Sequence, residues 1–163
     1  MKLTTLQKFI PLRRELRESG KKLVFTNGCF DIIHRGHVEY LAKAASFGDV
    51  LVVGMNSDES IRRIKGDGRP INPEDDRAAV LSALEFVDFI IPFEEDTPRN
   101  LIENLLPDVL AKGADWAEED IVGADIVKES GGEVRRIELT PGRSTSAIIE
   151  RILTLLGGDK DGS

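Results

Sequence analysis

The chain has 163 residues, 40% of them hydrophobic and 31% charged, which fits one compact soluble domain with its own core. No apolar run approaches the roughly 18 residues that span a bilayer, and the opening MKLTTLQKFIPLRREL has no apolar stretch ending in small residues, so no membrane role and no secretory signal are expected and the protein is placed in the cytoplasm. A net charge of −7 argues against broad nucleic-acid binding, which needs a basic surface, and the single cysteine, Cys29, has no partner for an internal disulfide.

In chain order, Leu6, Phe9, Ile10, Leu12 and Leu16 recur at roughly helical spacing, with Pro11 interrupting and Gly20 available as a stop, so residues 1–20 read as a helical N-terminal extension. KLVFTNG is apolar, β-branched and closed by Asn27 and Gly28, the pattern of a buried strand running into a turn. Val38, Leu41, Ala42 and Ala45 then share one face of a helix that closes at Gly48. DVLVVGMN repeats the strand, and SDESIRRIK the helix, with a serine placed to cap it. After the loop GDGRPINP, PEDDRAAVLSALEF has the proline and acidic residues that a helix N-terminus favours. VDFIIPF is a third strand, TPRNLIENLL a helix, PDVLAKG and GEVRRIEL two more strands, and STSAIIERILTLL a final helix. The polar GGDKDGS is expected to be a disordered tail, which leaves residues 21–156 as the main domain and 157–163 as the tail.

Strands apolar throughout and alternating with helices predict a doubly wound, Rossmann-like α/β fold, a mainly parallel sheet of about five strands covered on both faces. Ligands in such sheets sit beyond the carboxyl ends of the strands, where strand order reverses. The loops to watch are therefore residues 26–37, 56–69, 93–97, 112–116 and 140–146.

Both histidines, His34 and His37, stand at the entry to the first helix of the alternation, with Gly36 between them. Unpaired amides and the dipole of a helix N-terminus favour an anion, and two imidazoles on one face add donors suited to the β and γ phosphates of a triphosphate. Gly36 keeps that approach open and Gly28 permits a tight turn. Other readings stay open at this point: capping or loop packing for the histidines, a zinc site with Cys29 and Asp31 that lacks HExxH or CxxC spacing, and a Cys29 nucleophile activated by a histidine.

GCFDIIHRGH, residues 28–37, resembles the GxFDxxHxGH signature of the cytidylyltransferase-like nucleotidyltransferases, and HRGH matches its HxGH core. The likeness extends over residues 23–153 and, through VVGMNSDESIRRIKGDGRPINPEDDRAAVLSALEFVDFIIPFEEDTP, LAKGADW and GGEVRRIELTPGRSTSAII, is to the heptose 1-phosphate adenylyltransferases. The resemblance implies direct attack by the phosphate of D-glycero-β-D-manno-heptose 1-phosphate on the α phosphorus of ATP, with Mg2+ assisting, to give ADP-heptose for the lipopolysaccharide core. It further implies a homodimer and, since no sugar-kinase region is present, a stand-alone form of an activity often fused to one. Relatives with the same motif act instead on glycerol 3-phosphate with CTP, and a nucleotide-binding regulatory domain is the non-enzymatic alternative.

Carried over by position, His34, His37 and Lys65 are the catalytic set. Cys29, Phe30 and Gly36, the KGxD residues Lys112, Gly113 and Asp115, and Ser144, Thr145 and Ser146 at the start of the last helix hold the nucleotide. Asn27, Asp31, Asn56, Arg69 and Thr97 face the substrate. No residue is assigned to a metal, and Ser144, Thr145 and Ser146 also fit simple capping, as does Asp58. Arg69 and Arg77 fit ion pairs with Glu74, Asp75 or Asp76 as well as substrate contacts. Arg143 stands where relatives have an aliphatic residue.

Overall fold

The computed structural model describes residues 2–157. Five parallel strands form one sheet in the order β3-β2-β1-β4-β5, built from β1 Leu23–Gly28, β2 Val50–Asn56, β3 Phe89–Phe93, β4 Val109–Gly113 and β5 Glu133–Ile137. Each expected strand is present. The runs of β1 to β4 are largely buried because helices cover both sides, so successive residues serve opposite layers, whereas the edge strand β5 exposes Glu133, Arg135 and Arg136. Leu23 and Phe25 enter one core with Phe9, Leu101, Leu105 and Val127, while Val24 enters the other with Leu41, Leu81 and Val109.

The helices are α1 Leu6–Glu18, α2 Arg35–Ala45, α3 Asp58–Lys65, α4 Glu74–Ala83, α5 Arg99–Leu105, α6 Ala124–Glu129 and α7 Thr145–Gly157. Pro11 does not interrupt α1 but lies inside it, exposed, where its missing N–H costs one helical bond and its ring meets solvent. The helix is held from its other side: Phe9 is 1% exposed and packs edge-on against Phe89 at 5.0 Å. Buried Arg13 donates to the carbonyls of Leu105 and Leu106 at 2.8 and 2.7 Å and pairs with Asp108 at 3.2 Å. In α2 the inward face centres on Leu41 and Ala44 rather than on Ala42.

The sequence reading has no helix between β4 and β5, whereas the chain forms a short 3-10 turn at Glu118–Asp120 and then α6. Six residues with Ala124 and Val127 as their buried contacts are too short to show a helical period. The last helix runs through Gly157, one residue into the expected tail; the rest of that tail lies outside the described residues. α7 docks at its start, and Leu153, Leu155 and Leu156 along it are exposed.

Strand order reverses between β1 and β4, so the loops following these two neighbours diverge and open a crevice at the carboxyl edge of the sheet. The opposite edge is closed by aspartates. Asp49 accepts from the amide of Lys22, Asp108 from Leu23 and Asp88 from Leu51, each at 2.8 Å. One edge is thereby stapled and the other left for ligands.

If α1 belongs to this core rather than hanging outside it, Phe9→Ala should lower unfolding free energy by about 3 kcal/mol in urea titrations. A loss under about 0.5 kcal/mol, the usual range for a surface change, would contradict the packing.

Candidate active site

β1 ends in a tight turn whose geometry depends on Gly28 and Phe30. Phe30 adopts a left-handed backbone conformation, φ 49°, which folds its ring back over Gly28, where a Cβ would stand 3.0 Å from the ring. The ring then meets His37 edge-on at 5.4 Å. His34, in extended conformation, is the N-cap of α2, and its ring stacks on that of His37 with centroids 3.9 Å apart. A Cβ at Gly36 would lie 3.0 Å from the His34 ring and 3.2 Å from Cβ of Arg143, so glycine is what lets these groups close on the helix start.

Both imidazoles are held neutral. Burial, with His34 and Lys65 nearby, brings His37 down to about 4, and burial with the charge of Arg143 lowers His34. The amide of His34 donates to Nδ1 of His37 at 3.4 Å, which leaves the His37 proton on Nε2. Nδ1 of His34 is buried and has no hydrogen-bond partner among the described residues. The pair therefore offers neutral N–H donors rather than cations.

The signature loop is clamped from below. The carboxylate of Asp31 accepts from the amides of Ile71 and Asn72, at 2.8 Å each, and from Nε of Arg69 at 2.7 Å. Burial pushes this carboxyl up, but the amides of Asn72 and Ile71 together with Arg69 outweigh it and hold it below the usual range. Arg77, from α4, is 1% exposed and donates to the carbonyls of Cys29 at 2.6 Å, Asn56 at 2.8 Å and Asn72 at 3.1 Å, and to Asp58 at 2.8 Å. Arg69 and Arg77 thus pair with Asp31 and Asp58, not with Glu74, Asp75 or Asp76, and Asp58 lies in the first turn of α3 behind the capping hydroxyl of Ser57.

Above the clamp the crevice has two communicating lobes of about 410 and 400 Å3. Lobe one gathers Cys29, Phe30, His34, Gly36 and His37 with Gly113, Asp115, Ser144, Thr145 and Ser146. Lobe two adds Asp31, Asn56 and Thr97, while Asn27, Lys65, Arg69 and Lys112 border both. Every residue assigned from the sequence to the catalytic, nucleotide or substrate set borders one lobe or the other, whereas Arg77 and Asp58 border neither, and the availability of the lining residues differs. Asp31 is saturated by the chain's own donors. Ser144 caps α7, accepting from the amide of Ala147 at 3.0 Å, and the Thr145 hydroxyl donates to the carbonyl of Ile32 at 3.2 Å. Asn56 donates to Ser60 at 3.0 Å. Lys65 ends α3, exposed, at the mouth of the crevice.

Lys112 occupies the floor at the strand-order reversal, 3.4 Å from Oδ1 of Asn27 and 5.3 Å from the ring centre of Trp116. Burial lowers its ammonium, against the pull of Asp115. Trp116, Tyr40 and Leu139 also line lobe one, and no role was read for them in the sequence. Trp116 and Leu139 sit in or beside the loops after β4 and β5, where position alone marks them. Tyr40 lies mid-helix, tied to Thr26 at 2.7 Å, and carries no such signal. Among the described residues no three His, Cys, Asp or Glu side chains converge as metal ligands, and Asp31 is already taken up by Arg69 and two amides. Burial raises the Cys29 thiol despite Lys65, Arg77 and Arg69, the opposite of what an activated nucleophile needs.

The sequence profile of the cytidylyltransferase-like family matches residues 25–151. Among curated proteins, the chain is 57% identical over 150 residues to the bifunctional protein HldE of Campylobacter concisus and 60% identical over 132 residues to that of Campylobacter curvus. These alignments take in 91% and 81% of this chain but 31% and 27% of the relatives, so the chain spans less than a third of their length. Among solved structures, the lipopolysaccharide core biosynthesis protein from Thermoplasma volcanium superposes with a TM-score of 0.60 at 30% identity, over 74% of this chain and 98% of its own. A pantoate-beta-alanine ligase from Francisella tularensis superposes with a TM-score of 0.59 at 17% identity, over 90% of this chain and 69% of its own, a likeness of fold.

The neutral His37 has a consequence for stability. An unfolded histidine binds a proton near pH 6.5 while the folded one resists it to about 4, so the unfolded state holds more protons in that window and stability falls as pH drops through it. Between pH 6.5 and 5 this amounts to about 1.5 kcal/mol. Urea unfolding at the two pH values should show His37→Gln losing less stability than the wild type; equal losses would contradict a buried neutral imidazole.

Proposed function

The chain belongs to the cytidylyltransferase-like family and is a nucleotidyltransferase, and from that premise we propose that it transfers the adenylyl group of ATP to D-glycero-β-D-manno-heptose 1-phosphate, releasing pyrophosphate and forming ADP-heptose for the lipopolysaccharide core. The observation that carries the reading is the convergence of His34, His37 and Lys65 on one crevice wide enough for two phosphate-bearing molecules. The high identity to the HldE proteins, confined to under a third of their length, supports the choice of a sugar 1-phosphate as acceptor.

In this reading ATP lies along lobe one. Its base and ribose rest by Lys112, Gly113, Asp115 and Leu139, and its β and γ phosphates meet the N-termini of α2 and α7. The acceptor enters through lobe two, past Asn56 and Thr97. A phosphate oxygen of the acceptor forms a bond to the α phosphorus, and the bond from that phosphorus to the oxygen bridging the β phosphate breaks, its electron pair leaving with pyrophosphate. A phosphate monoester is mostly dianionic at neutral pH, so the nucleophile needs no base. That agrees with a signature loop whose carboxylate, Asp31, is fully engaged by Arg69 and two amides.

Charge develops on the departing pyrophosphate, and donors aimed there stabilise the transition state more than the ground state. Nε2–H of His37 and the ring of His34 serve as such donors, and Lys65 brings its point charge from the end of α3. Asp31, Arg69 and Arg77 position the loop rather than touch substrate. Mg2+ fits as part of the MgATP substrate, because the described side chains form no cage for a resident ion and this metal is commonly held by phosphates and water. It supplies charge neutralisation along the triphosphate.

Pyrophosphate release should follow addition of ATP and the heptose 1-phosphate, and His37→Ala should slow it about a hundredfold or more with the fold intact by circular dichroism. Release with CTP and glycerol 3-phosphate but not with the heptose substrate would refute the acceptor assignment. No release with any acceptor would refute the reaction.

A further inference from the structure

No role is assigned to Arg143 from the sequence, and its surroundings give it a task. It directly precedes α7, and its Cβ packs against Gly36 at the start of α2, which puts its side chain between the two helix N-termini that border lobe one. The other guanidiniums around the crevice are spent: Arg69 is bound to Asp31 and Arg77 to Asp58. Glu39 lies within electrostatic reach of Arg143 but is already held by Arg35 and the hydroxyl of Thr140. Arg143 is exposed, forms no ion pair among the described residues, and projects its charge strongly enough to help lower His34.

The lobe otherwise lacks cations suited to a triphosphate. Its histidines are neutral, and Lys112 is half-buried on the floor beside Asn27, Asp115 and Trp116. Lys65 remains, on the opposite wall, as a single point charge. A guanidinium presents a planar fork that binds two phosphate oxygens at once, and it never loses its proton.

We propose that Arg143 is a further catalytic residue, a guanidinium clamp that grips the β and γ phosphates of the nucleotide from the α7 side and stays with them as pyrophosphate leaves. The assignment rests on the adenylyl-transfer reading for its kinetic part, but its binding part stands apart from the identity of the acceptor. Lys65 and Arg143 then close on the triphosphate from two walls, with the neutral histidines as donors between them.

The test compares wild type, Arg143→Met and Arg143→Lys by calorimetric titration with ATP, AMP and inorganic pyrophosphate, without acceptor, and then by single-turnover release of pyrophosphate. Loss of a charge-assisted contact should weaken ATP and pyrophosphate binding about tenfold or more in Arg143→Met, leave AMP within about twofold, and be partly restored in Arg143→Lys. Unchanged ATP affinity in Arg143→Met, or an equal loss for AMP and ATP, would overturn the clamp. If wild type binds ATP but turns over no sugar 1-phosphate, the proposed reaction fails while the titrations still decide the role of Arg143. Normal turnover in Arg143→Met would remove its catalytic part.

Discussion

The site depends on one buried guanidinium. Arg77 reaches from α4 to the carbonyl that follows β1, the carbonyl that ends β2, the loop after α3 and the first turn of α3 itself. A fully buried cation is costly unless every donor finds an acceptor, and here carbonyls and Asp58 supply them. The arrangement has a geometric consequence. The three segments cannot separate without stranding a charge, so the signature loop, the start of α3 and the loop that precedes α4 are tied to one another. Asp31 repeats the device with opposite sign, a buried carboxylate held by two amides and Arg69.

These two charges buried below allow a particular electrostatic character above. The crevice has no unengaged carboxylate on its signature loop, and the histidines facing it are kept neutral by burial and by neighbouring positive charge. Such a surface suits a polyanion whose nucleophile arrives already charged, and it suits poorly a reaction that needs a strong base. The raised thiol of Cys29 points the same way: its Sγ lies 4.0 Å from Oδ1 of Asn56, and burial disfavours the thiolate.

Much of this was legible in the sequence because its signals are local. The strands at 23–28, 50–56 and 89–93 are continuous apolar runs, and a sheet of such runs places its ligand loops beyond their carboxyl ends. The loops at 26–37, 112–116 and 140–146 follow from that rule alone. What was not legible depends on distance along the chain. Asp31 and Arg69 are separated by 38 residues and Asp58 and Arg77 by 19, whereas acidic residues 74–76 lie beside Arg77 and look like its partners. Pro11 reads as a break, yet Phe9 and Arg13 fix α1 to the core strongly enough to carry it. α6 is too short to leave a period, and Tyr40 gains its place in the cleft from the hydroxyl of Thr26.

On the proposed mechanism two phosphate-bearing molecules meet in one crevice and react directly, with no group of the protein entering the bond. The stereochemistry at the transferred phosphorus tests it most directly. With ATP made chiral at the α phosphorus by a sulfur substitution and heptose 1-phosphate as acceptor, a single in-line displacement predicts a product of inverted configuration. Retained configuration would mean two displacements through an adenylylated side chain, Cys29 or a histidine, and would contradict direct transfer.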